Sequence, residues 1–326
     1  MTHTFAFLLF ATTFFPMMPS APALTIAVVN RADDTVSMID SETGATKTIP
    51  TGKGAHEAAA CGNRFVVSNY GDGSAPGHSL SVYDAATKAL QATIDVAPLL
   101  RPHGMLCDGD TLFMTAEASL AIGRVRLDQG KVDMVIGHGQ KTGHMIAGRP
   151  QASDLFTANV LSNTITRIRP VQPGGWDVTH VAVGKAPEGI DASPDGSQVW
   201  VANRQDNTIS VVDAAAGKVT ATIATSAFIY RLRFTPDGKY VLAMQPETGA
   251  VLVYDAVTRA LVKTLEIGGA PVAAAVHASQ PSRAFVVRSQ AREVVEVDLT
   301  TFQVGRRYPI GGNADGIAVA GAGAGG

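Results

Sequence analysis

His56, His103 and His144 stand 47 and 41 residues apart, and each opens a short run rich in apolar residues. Continuing at the same pitch reaches Glu188, Tyr230, Val272 and Asp315, at further intervals of 44, 42, 42 and 43 residues. Neutral imidazoles and carboxylates are the donors that zinc, copper, iron, nickel or manganese accept. Three imidazoles with an open position can hold an exchangeable ligand or a water. The expected metal ligands are therefore His56, His103 and His144, with Asp315 or Glu188 as a fourth ligand or as a hydrogen-bonding partner that orients an imidazole. No helix or loop can gather residues more than 40 apart, so a repeated fold must do it.

That repeat is visible along the chain. A unit of about 42 residues recurs, and its clearest copy runs from Pro187 through Ser193-Pro194-Asp195-Gly196, then Val199 to Asn203, then Asn207 to Asp213. The third strand of each unit ends on Asp40, Asp84, Asp213, Asp255 or Asp298, with Leu127 and Arg169 in the same slot of two diverged units. The second strand is marked by Val28–Asn30, Val67–Asn69, Thr157–Asn159 and Val201–Asn203. Short apolar or alternating runs closed by Pro-Asp-Gly turns read as β-meander sheets. A sheet this small cannot bury both of its faces, so the units must stack on one another. The first unit begins at its second strand, Thr25 to Val29, and Ala314 to Val319 matches the first strand of the other units. The expected fold is all-β, a seven-bladed β-propeller spanning residues 24–320, whose first blade is closed by the C-terminal strand.

In a propeller the inner strand of each blade lines the central channel. Asp315, His56, His103, His144 and Glu188 should then converge from five successive blades at one mouth. Tyr230 and Val272 fall on the far arc and leave a side open, and Glu57 and Arg231 are expected as rim residues. A metal-free polar channel that takes a small anion or carbonyl ligand is one alternative, and plain structural hydrogen bonding is another. His78 falls in an insertion, while His138, His180 and His277 lie outside the register and are expected at the surface or in loops. Trp176, in a second insertion, could cover a neighbouring blade.

Val201-Ala202-Asn203, Asn207-Thr208-Ile209-Ser210-Val211-Val212-Asp213 and the Ser-Pro-Asp-Gly turn resemble the bacterial YVTN-repeat β-propeller family over nearly the whole chain. That resemblance implies the fold; its members include secreted proteins, binding scaffolds and enzyme subunits, so it implies no single chemistry. The chain also has some resemblance to periplasmic zinc-metallochaperone propellers that serve ABC importers, through the architecture and the channel-mouth histidines. This implies a periplasmic metal carrier or binding protein, with a metal importer component as a partner. The His-rich segment associated with such carriers is missing here, which weighs against direct transfer to a permease. Similarity to lactonase-like propellers offers a second reading, a metal-dependent hydrolase, and a metal-free interaction scaffold is a third.

Other chemistry is excluded or undercut. There is no Gly-x-Ser-x-Gly elbow, no Cys-x-x-Cys and no Walker sequence. Lys141-Thr142-Gly143 lacks the Ser-x-x-Lys that would make it a β-lactamase signature. With 326 residues, a net charge of −2 and 17% charged residues, the chain has no electrostatic footprint for nucleic acid or an anionic membrane. A monomer is expected. Phe5 to Phe15 followed by Ser20-Ala21-Pro22-Ala23 reads as a signal peptide over residues 1–23, and hence export to the periplasm with no membrane span after cleavage. Cys61 and Cys107 lie near the ends of neighbouring inner strands and are expected as two buried thiols, a disulfide in an oxidising compartment being the alternative. Residues 321–326 read as a disordered Gly/Ala tail.

Overall fold

The computed structural model describes residues 23–148, 154–172 and 174–321. The expected signal peptide (but for Ala23) and residues 322–326 of the expected tail lie outside the described residues. Within them the chain forms seven four-stranded antiparallel sheets. From blade 1 to blade 7 the inner strands are Ala314–Gly321, Ala55–Cys61, Pro102–Asp108, Gly143–Gly148, Pro187–Ala192, Arg231–Phe234 and Pro271–Val276. Blade 1 takes its inner strand from the end of the chain, and Leu24 pairs with Gly321, one residue further than expected.

The core consists of seven apolar wedges, one between each pair of neighbouring blades. Between blades 5 and 6, for example, Trp200 packs edge-on against Phe234 with ring centroids 6.0 Å apart. Each fully buried side chain of this kind contributes about 1.5–3 kcal/mol through removal of its surface from water. Trp176 of blade 4 packs over blade 3, its indole N–H 3.0 Å from Met134 Sδ.

The sequence markers have local physical causes. The aspartate ending the third strand caps the following turn: Asp84 Oδ1 accepts the backbone N–H of Ala86 at 3.0 Å and of Thr87 at 2.7 Å, which holds its pKa below the ordinary carboxylate value. In diverged blade 4, Arg169 occupies that slot and instead joins Arg167 in pairing with buried Asp154. The second-strand asparagine ties its blade together. Asn203 Nδ2 donates to Thr208 Oγ1 and Ser210 Oγ at 3.0 and 2.9 Å, and Asn30 and Asn69 bond in the same way.

Cys61 and Cys107 are joined in a disulfide, contrary to the expectation of two thiols. The inner strands of blades 2 and 3 converge on the axis, which brings the two Cα atoms to 5.3 Å, inside the range a disulfide can span. His138 lies in a loop, as expected, but is only 2% exposed rather than at the surface.

Candidate metal centre

Each inner strand enters the channel by the same local device. In blades 1 to 5 and 7, one extra residue is inserted at this point: Ala55 pairs with Asn69 and Ala58 with Val67, so three steps on the inner strand face two on its neighbour. Such a bulge re-aims side chains. Two residues before each register position in these blades the backbone is left-handed: Gly54, Arg101, Thr142, Ala186, Ala270 and Asn313 have φ between 47° and 63°. The bulge occurs in blade 7 at Val272, which carries no polar group, so the device belongs to the fold and the chemistry belongs to the residue placed on it.

The residue after each register position also shapes the ring. Gly316, Gly104 and Gly189 alternate with Glu57, Met145 and Arg231 around it. A Cβ built on Gly104 would lie 2.7 Å from Met145 Cα, one on Gly316 2.6 Å from Glu57 Cα, and one on Gly189 2.9 Å from Arg231 Cα. These contacts are closer than carbon atoms tolerate, so the glycines are what allow the next inner strand to approach.

The three imidazoles come together. His56 and His103 have ring centroids 4.3 Å apart, and His103 and His144 3.9 Å apart. His56 is 5% exposed and His103 1%. Burial lowers the His56 pKa to about 4, against the pull of Asp315. Burial also holds His103 well below its ordinary value, reinforced by the neighbouring imidazoles. Both are therefore neutral, as metal ligands must be. Both ring nitrogens of His103, and Nε2 of His144, lack any hydrogen-bond partner although buried.

The ligand-bearing atoms form two groups rather than one. His56, Glu57 and His103 can bring one atom each to within 4.8 Å of one another, and so can His103, Glu117 and His144. The three rings stand in a row with His103 in the middle, and the carboxylates that complete these two groups are Glu57 and Glu117.

The other register residues act as partners to this row. Asp315 Oδ2 lies 3.2 Å from His56 Nδ1. Glu188 is turned towards Arg204, 3.2 Å from its Nη1, and remains 3.8 Å from His144 Nε2. Tyr230 does not leave its side of the ring open, since its hydroxyl reaches across to Asp315 at 3.3 Å. Val272 packs in the wedge between blades 7 and 1.

Glu57 and Arg231 are not at the rim. They are 6% and 5% exposed and form an ion pair across the channel, Arg231 Nη2 donating to Glu57 Oε1 at 2.5 Å. Burial disfavours the Arg231 cation, but Glu57 and then Tyr230 and Asp315 more than offset it and raise its pKa. Below this pair lies an axial cavity to which all seven blades contribute, through Ile317, Ala58, Met105, Met145, Asp191, Arg233 and Ala273.

Inner-strand counting does not find Glu117, which comes after the second strand of blade 3 in a short 3-10 turn, Glu117–Ser119. Its carboxylate lies 2.5 Å from His144 Nδ1 and accepts a hydrogen bond of 2.5 Å from the Tyr70 hydroxyl. Burial would raise the Glu117 pKa, but the bond from His144 and its charge, then Tyr70, lower it overall. Burial and the bond to Glu117 push the Tyr70 hydroxyl up to about 12. A signal for both residues exists: one position past the second-strand asparagine slot stand Arg31, Tyr70, Glu117, Val160, Arg204, Pro246 and Ser289. They form a second ring above the first.

The fold and this mouth define a seven-bladed β-propeller with a buried, imidazole-lined axial site. The family model described as YNCE-like beta-propeller matches residues 130–272. No curated protein matches the sequence. Among solved structures the chain is similar to a functionally unknown protein from Desulfotomaculum acetoxidans DSM 771, at 16% identity and a TM-score of 0.77, covering 91% of this chain and 99% of that one. It is similar to apo AztD from Citrobacter koseri, at 12% identity and a TM-score of 0.67, covering 92% and 98%. A putative 6-phosphogluconolactonase from Bacteroides uniformis ATCC 8492 aligns at 13% identity and a TM-score of 0.73, covering 92% and 100%. At these identities the likeness is one of fold.

Proposed function

We propose that this propeller binds a transition metal ion, zinc or copper, at the mouth of its axial channel and serves as a carrier or binding protein for it. The observation that carries this reading is His103. Buried polar atoms are nearly always paired, yet this imidazole is 1% exposed, has neither nitrogen bonded, and sits between two further imidazoles. A metal ion is the partner that such a set of donors fits.

The chain's own residues divide the work. His103 and His144 offer bare nitrogens. Glu117 holds the Nδ1 proton of His144, which leaves Nε2 as the donor. A carboxylate placed this way fixes the tautomer and raises the basicity of the ring. Asp315 Oδ2 lies 3.2 Å from His56 Nδ1 without a hydrogen bond, so that buried nitrogen is also unpaired. Glu188 pairs with Arg204 through Oε2 and keeps Oε1 3.8 Å from His144 Nε2.

Export to the periplasm is part of the proposal, supported by the Cys61–Cys107 disulfide, since such bonds persist in oxidising compartments. A metal importer component is the partner this reading implies. The test is equilibrium dialysis against zinc and copper with elemental analysis, comparing the wild type with a His56→Ala/His103→Ala/His144→Ala variant. Metal should be retained by the first and lost by the second; equal content in both would rule the function out.

A further inference from the structure

We infer that the mouth holds one ion in either of two overlapping positions, an outer one made by His103 and by His144, which Glu117 orients, and an inner one made by His56, Glu57 and His103, and that Arg231 weights the choice towards the outer. The inference rests on the metal-binding reading above and adds to it a second seat and an order of preference.

The geometry of the row leads to it. Two groups of ligand atoms exist, each compact enough for an ion, and they share only His103. A neutral imidazole has one bare nitrogen, the other carrying a proton. His103 can therefore serve one ion at a time, and the two positions exclude each other. With neither nitrogen tied to a protein partner, nothing in its surroundings fixes which side the bare nitrogen faces. His144 is committed to its own side by Glu117 Oε1 at 2.5 Å, while His56 Nδ1 makes no hydrogen bond and faces both Asp315 Oδ2 at 3.2 Å and Glu57 Oε1 at 3.9 Å.

The positions are not equivalent. The carboxylate beside the outer group accepts hydrogen bonds from Tyr70 and His144. That of the inner group is already neutralised by a buried guanidinium, which would face an incoming cation at close range. The outer position is also the more accessible, the His144 side chain being 13% exposed against 7% for His56. An ion arriving from solvent meets the outer seat first. It passes inward only if Glu57 lets go of Arg231, which then pairs with Asp315, 3.7 Å away.

The test is a double-mutant comparison on the full chain, with zinc competed against a chromophoric chelator. Wild type should bind about one equivalent, since the positions exclude each other. Glu57→Gln should weaken the wild type much less than it weakens His144→Ala. His144→Ala should still bind about one equivalent, weaker by roughly ten- to a hundredfold. In that background Glu57→Gln should remove the remaining binding, and Arg231→Gln should tighten it by at least about tenfold.

Because Glu57→Gln leaves Arg231 buried with a weaker partner, the comparison is repeated with Glu57→Gln/Arg231→Gln, whose amides can pair, and folding is checked by melting. Equal effects of Glu57→Gln in both backgrounds would leave a single seat and overturn the inference while sparing metal binding. Two equivalents in the wild type would overturn mutual exclusion. No binding by the wild type would remove the proposed function and this inference together.

Discussion

His144 Nδ1 and Glu117 Oε1 lie 2.5 Å apart, and this contact joins two rings of the propeller mouth, since one residue opens an inner strand and the other comes after a second strand. It places a proton on Nδ1 and leaves Nε2 bare. Glu117→Gln keeps the shape but weakens the acceptor, so zinc affinity should fall by roughly ten- to a hundredfold, as read by chelator competition. Glu188→Gln, which disturbs the pair with Arg204 and a carboxylate 3.8 Å from His144 Nε2, should lower affinity by less than Glu117→Gln does. The reverse ranking would assign the orienting role to the wrong carboxylate.

Gly104→Ala tests the approach of blade 4. The added methyl would sit 2.7 Å from Met145 Cα and 2.8 Å from the His144 carbonyl oxygen, both backbone atoms that cannot swing aside. Overpacking of this kind costs about 1–3 kcal/mol. Because the displaced strand carries His144, a loss of metal affinity should accompany the drop in unfolding free energy. A variant that loses neither would show that the strands have more room than the contacts allow.

The disulfide can be removed as Cys61→Ser/Cys107→Ser. Stability in urea should fall by roughly 2–4 kcal/mol, the range for a loop of intermediate length. Since the bonded strands also carry His56 and His103, reduction of the wild type with dithiothreitol should weaken zinc binding along with it. Unchanged affinity after reduction would separate the far end of these strands from the site.

The buried histidines predict an acid limb. His56 and His138 have pKa values lowered to about 4 by burial, offset at His56 by Asp315 and reinforced at His138 by His180. Unfolded, each takes up its proton near pH 6.5. The unfolded chain therefore binds more protons between these values, and stability rises with pH across them. It should be complete above about pH 6.5 and decline towards pH 4, by up to roughly 3 kcal/mol per histidine. Melting of the metal-free protein across this window reads it, and His138→Asn should flatten the slope. A midpoint constant from pH 7 to 4.5 would argue against the neutral, buried imidazoles.

Periodicity makes the architecture legible. The Asn203 and Asp213 markers, the Pro-Asp-Gly turns and the match of Ala314–Val319 to Pro187–Ala192 are each read from spacing, and each corresponds to a hydrogen-bonded device in the structure. The inner-strand register is legible too, because the bulge places one residue per blade at the same height. Spacing does not convey which neighbours complete the constellation. Glu117 and Tyr70 come from a different strand, in a blade pair where one asparagine marker is replaced by Ala116. Arg231 reads as a rim residue because the register stops at Tyr230, whereas the alternation of glycine with large residues carries Arg231 and Glu57 into the channel. Strand convergence likewise brings Cys61 and Cys107 closer than a flat array of sheets would.

Asp315, which stands against His56, belongs to the strand that the chain delivers last to complete its first sheet. A polypeptide interrupted before residue 314 would have six finished sheets and a seventh lacking one member, and its first imidazole would lose the Asp315 carboxylate 3.2 Å from its Nδ1. The mouth is thereby finished only in molecules whose two ends have met, so that its assembly reports closure of the ring.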